Sequence, residues 1–223
     1  AMPTSDVSWS GRLRIIGDLE RPDHWHLEAD DQCAFFGEYT PREGWRYSAT
    51  NQLILNLKKR PSVARGTPQW PHKLKAIRDV AAAIRSSLTP EALATSLFVP
   101  IPSSKTPDHP DFDPRMLAVA RAIGAPARAA DVLRTTADRL AMHESADRRE
   151  PDALEATLEV LPSAIPADIE RIFLLDDMIT TGCSFKVCKG LLQPHVSGKP
   201  IIGLFASRRV LPDPFAAFDD LEF

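Results

Sequence analysis

Residues 171–185, RIFLLDDMITTGCSF, set two adjacent acids, Asp176 and Asp177, between an apolar run and a loop of small residues, Thr180-Thr181-Gly182-Cys183-Ser184. Carboxylates at the mouth of a buried strand can accept hydrogen bonds from hydroxyls or sit beside a magnesium ion. A small-residue loop that runs into a helix offers free N–H groups with the helix dipole behind them, and these attract phosphate. Gly182 allows close backbone approach, and the Thr and Ser hydroxyls add donors without bulk. Acids beside a phosphate repel it unless they face a sugar's hydroxyls or a cation. The stretch therefore reads as a sugar-phosphate site, the loop holding the phosphate and the acids the sugar. The plainer reading is a strand-turn-helix in which an Asp caps the turn.

Such a site needs a strand before it and a helix after it. RIFLL reads as the strand and SFKVCKGLLQP as the helix, followed by a further strand, PIIGLFAS. Upstream, SLFVPIP is a short apolar run stopped by prolines, and ADVLRTT is another candidate strand. In PHKLKAIRDVAAAIRSSL, residues Leu74, Ile77, Ala81, Ile84 and Leu88 recur at helical spacing. DPRMLAVARAIGAP begins with Asp113 as a candidate N-cap and Pro114 at the first helical position, and Gly124 lies past its end. SATNQLILNLKKR fits a helix or a strand, and its basic end suits a helix C-terminus. Strands alternating with helices, apolar on both faces, predict an α/β fold with a Rossmann-like parallel sheet flanked by helices. RLRIIGDL and CAFFGEYT also read as strands but fit this pattern poorly. Residues 1–50 and about 207–223, including Ser207–Arg209, are expected to form a small hood over a core of about 70–206, within a single domain of 1–223.

Composition narrows the function. The chain has 223 residues, is 43% hydrophobic and 26% charged, and carries a net charge of −3. That supports one sizeable core and gives no basic patch for nucleic acid. No apolar run reaches membrane-spanning length. The start, AMPTSDVSWS, does not read as a secretion signal. Three cysteines, Cys33, Cys183 and Cys188, without a C-x-x-C pair support neither a disulfide framework nor a zinc ribbon, so a cytoplasmic setting is expected. Cys183 at a helix start fits either a thiol of lowered pKa or a packing role. His24 and His26, with Asp30 and Asp31 beyond, can be drawn as a metal site or as a surface pattern.

The run Ile172 to Ser184 closely resembles the signature of type I phosphoribosyltransferases, which use phosphoribosyl pyrophosphate (PRPP). The resemblance is best over residues 171–193, fainter over 97–124, and slight elsewhere. It implies the type I phosphoribosyltransferase fold, with Asp176 and Asp177 engaging the ribose hydroxyls directly or through magnesium. Thr180, Thr181, Gly182, Cys183 and Ser184 would cradle the 5-phosphate, with Cys183 and Ser184 as mild departures from the usual residues. In FVPIPSSKTPDHPDFDPRM, the resemblance implies that Ser103, Ser104 and Lys105 grip the pyrophosphate and its metal. The Pro-x-Pro step and the stretch VLRTTADRLAMHESADRRE are similar to the ComF-like branch. The cysteine zinc ribbon of that branch is absent, so a role in DNA uptake is not implied. Residues 136–152 read from composition as a long loop or an exposed helix, and 136–150 occupy the place of the family's mobile catalytic loop, so Arg139, His143, Arg148 and Arg149 are expected to close over the leaving group. Arg115 faces either the site or solvent.

The implied activity is transfer of the 5-phosphoribosyl group from PRPP to a nitrogenous base, or the reverse, with magnesium. Asp176, Asp177 and Lys105 are the expected catalytic residues. Thr180 stands where some purine-using relatives carry an acid, which disfavours a hypoxanthine/guanine-type enzyme. The alternative is a non-catalytic regulator or sensor on the same fold that binds PRPP or a nucleotide. Expected partners are PRPP, a nucleobase-like molecule, and either a second copy in a homodimer or a regulatory protein.

Overall fold

The computed structural model describes residues 9–138 and 151–211. The amino-terminal part contributes β1 (Arg14–Ile15), β2 (Cys33–Phe35), β3 (Glu38–Tyr39), α1 (Ala49–Leu57) and the single turn α2 (Pro61–Ala64). Then come α3 (Trp70–Ser87), α4 (Pro90–Thr95), β4 (Ser96–Pro100), α5 (Arg115–Ala122), β5 (Arg128–Ala129) and β6 (Leu133–Thr135). The carboxyl-terminal part holds α6 (Pro151–Glu155), β7 (Leu158–Val160), β8 (Arg171–Ile179), α7 (Cys183–Leu192) and β9 (Ile201–Arg209).

The main sheet has seven strands in the order β1-β2-β9-β8-β4-β5, with β3 also pairing β9. All pairs are parallel except β1 with β2. The fold is thus α/β, with a mixed, mostly parallel sheet between helices. Alternation along the strands sorts the core onto two faces. Phe98, Phe173 and Leu175 meet Ile54, Val80, Ile84 and Val119 of α1, α3 and α5. Leu97, Val99, Ile172 and Leu174 meet Phe185, Cys188 and Leu192 of α7. Phe98 and Phe173, adjacent across β4 and β8, stack at 5.2 Å between ring centroids. Each such buried side chain contributes roughly 1.5–3 kcal/mol against exposure.

Several expectations are revised. The first 50 residues are not only a hood: β2 runs parallel to β9 through Cys33↔Gly203 to Phe35↔Phe205, and β3 pairs Arg208 and Arg209. Ser207–Arg209 therefore belong to the sheet. ADVLRTT does not join that sheet; its β6 pairs antiparallel with β7 in a separate ribbon. The ambiguous 49–57 stretch is a helix, because the Ser48 hydroxyl caps its start by accepting from the Asn51 N–H at 3.0 Å. On α3 the buried stripe runs through Lys73, Ile77, Val80 and Ile84, and Leu74 is 38% exposed. Asp113 does not cap α5, whose cap position is Pro114 without a side-chain bond; its carboxylate is used elsewhere.

Candidate functional site

The two acids lie inside β8 rather than beyond it. Pairing with β4 ends at Pro100↔Leu175, closed by a hydrogen bond from the Ile101 N–H to the Leu175 carbonyl at 2.8 Å. Pairing with β9 continues to Ile179↔Arg208. A cleft therefore opens at Asp176, where β4 leaves the sheet. Asp176 lines it together with Ser103, Lys105, Arg115, Asp131 and Thr135. Asp177 falls on the opposite face of the strand, toward α1 and α5, and is 3% exposed.

Asp177 is held by cations. Arg115 donates to its Oδ2 through Nε at 2.7 Å and Nη2 at 2.5 Å, and Lys58 reaches Oδ1 at 3.2 Å. Arg115 also binds Asp113 Oδ2 at 3.0 Å, which pairs with the buried Lys73 at 2.8 Å. Lys73 donates a further hydrogen bond to the Leu57 carbonyl at 2.5 Å. The result is an alternating chain, Lys58–Asp177–Arg115–Asp113–Lys73, linking α1, β8, α5 and α3. Each charge in it has a partner, as burial demands. Burial and the neighbouring charge of Asp177 push the Asp176 carboxyl up to about 7. Burial acts the same way on Asp177, but Arg115 and Lys58 outweigh it and hold that carboxyl below the usual range. Arg115 thus faces the site and not solvent.

The loop after β8 is a tight turn into α7. Gly182 occupies the N-cap position at φ +84°, where a Cβ would lie 2.9 Å from the Leu27 side chain. Lys186 N–H bonds back to the Gly182 carbonyl at 3.0 Å. The N–H groups of Thr181 and Gly182 donate to no other described residue, and that of Ser184 lies in the first turn of α7, whose N–H groups have no intrahelical acceptor. The Cys183 N–H leans on the Thr181 hydroxyl at 3.3 Å. The Cys183 side chain is 1% exposed and packs with Leu154 and Val187, which favours its packing role.

At the end of β4, Ser103 closes a turn: its hydroxyl donates to the Lys105 carbonyl at 3.0 Å, and the Thr135 hydroxyl donates to the Ser103 carbonyl at 2.7 Å. Ser103 and Lys105 share the cleft with Asp176, whereas Ser104 does not line it. Pro102, Phe112 and Leu133 supply an apolar wall. Arg139, His143, Arg148 and Arg149 lie outside the described residues.

The drawn histidine metal site does not form. His24 is buried against the 180–182 turn, and the candidate metal-holding group among the described residues is Glu28, Asp30 and Asp31, without a histidine. Lys186 bridges Glu28 and Asp31 at 2.7 and 2.9 Å, and Lys189 binds Asp31 at 2.7 Å, so ammonium groups already neutralise it. For magnesium at the β8 acids, both oxygens of Asp177 are committed to Arg115 and Lys58, while Asp176 gives one oxygen to the Asp177 N–H at 2.7 Å and keeps the other. One carboxylate with diphosphate oxygens and water is a donor set magnesium accepts. Asp176, not Asp177, fits that part.

Lys58, Lys73 and Asp113 were not expected here. Lys58 read as a helix-end cation and Asp113 as a cap. The signal for Lys73 was its place at the head of an apolar helical stripe. Compared with known proteins, the chain matches no protein-family model and no curated protein.

Proposed function

We propose that the chain binds PRPP with magnesium and transfers its 5-phosphoribosyl group to a nitrogenous base. One observation carries this reading. Asp176 shares a cleft with the 103–105 turn after β4, and its own strand β8 runs on into the Thr180–Ser184 turn, where the Thr181 and Gly182 N–H groups have no acceptor among the described residues. That order along the chain fits a ligand with a diphosphate at the 103–105 turn, ring hydroxyls at Asp176 and a phosphate at the 180–184 turn, which continues β8 without itself lining the cleft. Thr181, Gly182 and Ser184 hold the 5-phosphate, and Asp176 accepts from the ribose hydroxyls. Ser103 and Lys105 receive the diphosphate as it departs. Magnesium, when bound, neutralises diphosphate charge as the bond to the ribose breaks. The protein supplies positioning and charge stabilisation, and no described side chain in the cleft stands out as a general base for the acceptor.

The commitment of Asp177 to Arg115 and Lys58 favours a second reading, a sensor that binds PRPP without turnover. Incubation of radiolabelled PRPP, magnesium and a panel of bases separates the two. Base-dependent diphosphate release is the expected result. Tight binding without release supports the sensor, and absence of PRPP binding removes both.

A further inference from the structure

A second device backs the 180–184 turn from the amino-terminal side. His24 is 0% exposed, and its Nδ1 meets the Thr180 carbonyl oxygen. A carbonyl only accepts, so Nδ1 carries the proton, and the buried Nε2 has no partner among the described residues. Two residues on, the His26 N–H donates to the Thr181 carbonyl at 3.0 Å. Leu27, 7% exposed, lies where a Gly182 Cβ would go. The segment is tied to α7 by the pairs from Lys186 and Lys189 to Glu28 and Asp31.

Peptide planarity turns these contacts into a directional constraint. In a trans peptide the C=O of one residue points opposite to the N–H of the next. Fixing the Thr180 and Thr181 carbonyls toward His24 and His26 therefore aims the Thr181 and Gly182 N–H groups the other way. Those two N–H groups are the ones without an acceptor among the described residues. Adjacent N–H groups converging at a left-handed glycine make a nest for an anion.

We infer that His24, acting through the Thr180 carbonyl, is a positioning residue that sets the turn for a phosphate monoester. This rests on the sugar-phosphate reading of the turn. His24 does not touch the ligand; it fixes the direction of the donors that do. Without it the Thr180–Thr181 peptide is free to rotate, and alignment is lost at the phosphate while the diphosphate end is untouched.

The test measures ribose 5-phosphate and, separately, inorganic diphosphate with magnesium, on the full chain by calorimetry. His24→Leu is expected to bind ribose 5-phosphate about tenfold more weakly, with diphosphate affinity unchanged. His24→Asn, whose amide reproduces a donor near Nδ1, is expected to restore most of the loss. Equal ribose 5-phosphate affinity in wild type and His24→Leu overturns the inference, as does an equal fall for both ligands. If wild type binds no ribose 5-phosphate, the sugar-phosphate reading falls and this one with it, a result distinct from the other two. Should His24→Leu not fold, nitrogen-15 spectra of the wild-type imidazole decide. A proton on Nδ1, with Thr181 and Gly182 amide shifts on adding ribose 5-phosphate, supports the role, and a proton on Nε2 or unmoved amides overturns it.

Discussion

Two neighbouring carboxylates of the same chemistry are driven apart by what surrounds them. Asp177 has a guanidinium and an ammonium within hydrogen-bonding range, whereas among the described residues Asp176 accepts from a backbone N–H alone and feels those two cations only at longer range. Ionising Asp176 is thus unfavourable in the free protein, which makes the site ready for a ligand or cation that relieves the cost. The linkage has a definite sign. The folded state keeps the Asp176 proton up to about pH 7, whereas the unfolded chain releases it near the ordinary carboxyl value of 3.8. Stability contributed at this residue therefore falls as pH rises across that window and is flat above it. Asp176→Asn cannot titrate and still accepts from the Asp177 N–H. It should stabilise the free protein at pH 8 by on the order of 2 kcal/mol and make little difference at pH 4. Urea unfolding at the two pH values measures this; a variant less stable than wild type at pH 8 contradicts the assignment of the raised carboxyl. Substituting Asp177 as well is not a clean probe of binding, because it strips the partner of Arg115 and Lys58 inside the fold.

At the scale of elements, the strand-turn-helix around Gly182 was legible because local chemistry dictates it: four apolar residues for a fully buried strand, then a glycine where the backbone turns left-handed. The predictions made from periodicity were less faithful on α3. A helical stripe tells which residues share a face, and Leu74 fits that stripe as well as its neighbour does. Ile77, Ala81 and Ile84 are buried as that stripe requires; only at its head does burial pass from Leu74 to Lys73, which gains Asp113, forty positions away, as a partner. No window of local sequence contains that pairing. Lys58, Arg115 and Asp113 were obscure for the same reason: each is an ordinary helix-terminal residue until the sheet brings Asp177 beside it. The same turn yields a prediction. Gly182→Ala places a methyl against Leu27 in a conformation that costs an L-residue about 1–2 kcal/mol on its own. A loss of about 2–4 kcal/mol is expected once the contact is added, along with weaker ribose 5-phosphate binding. Thermal unfolding and calorimetry check it, and an unchanged melting temperature would show that the turn is not built as described.

The amino-terminal strands β1, β2 and β3 share one sheet with β9, the last described strand. Read as a cap, the amino-terminal 50 residues should be removable without unfolding the rest. Their low periodicity suggested this, because β1, β2 and β3 are only two or three residues long and carry no long alternating pattern. Their place comes from β9, whose free edge they cover, and from Phe35 and Phe36, each 1% exposed and buried on opposite faces of the sheet. Removing them uncovers both core faces and leaves β9 as an apolar edge open to pairing with other chains. It also removes Leu27, His24 and Asp31, and so the support behind the Gly182 turn and the partners of Lys186 and Lys189. A chain beginning at residue 51 is therefore expected to be aggregated or without a cooperative transition, as seen by size-exclusion chromatography and circular dichroism under heating. A monodisperse fragment that unfolds cooperatively near the full-length temperature would instead restore the cap reading. The stability of the phosphate turn would then have to come from β8 and α7 alone.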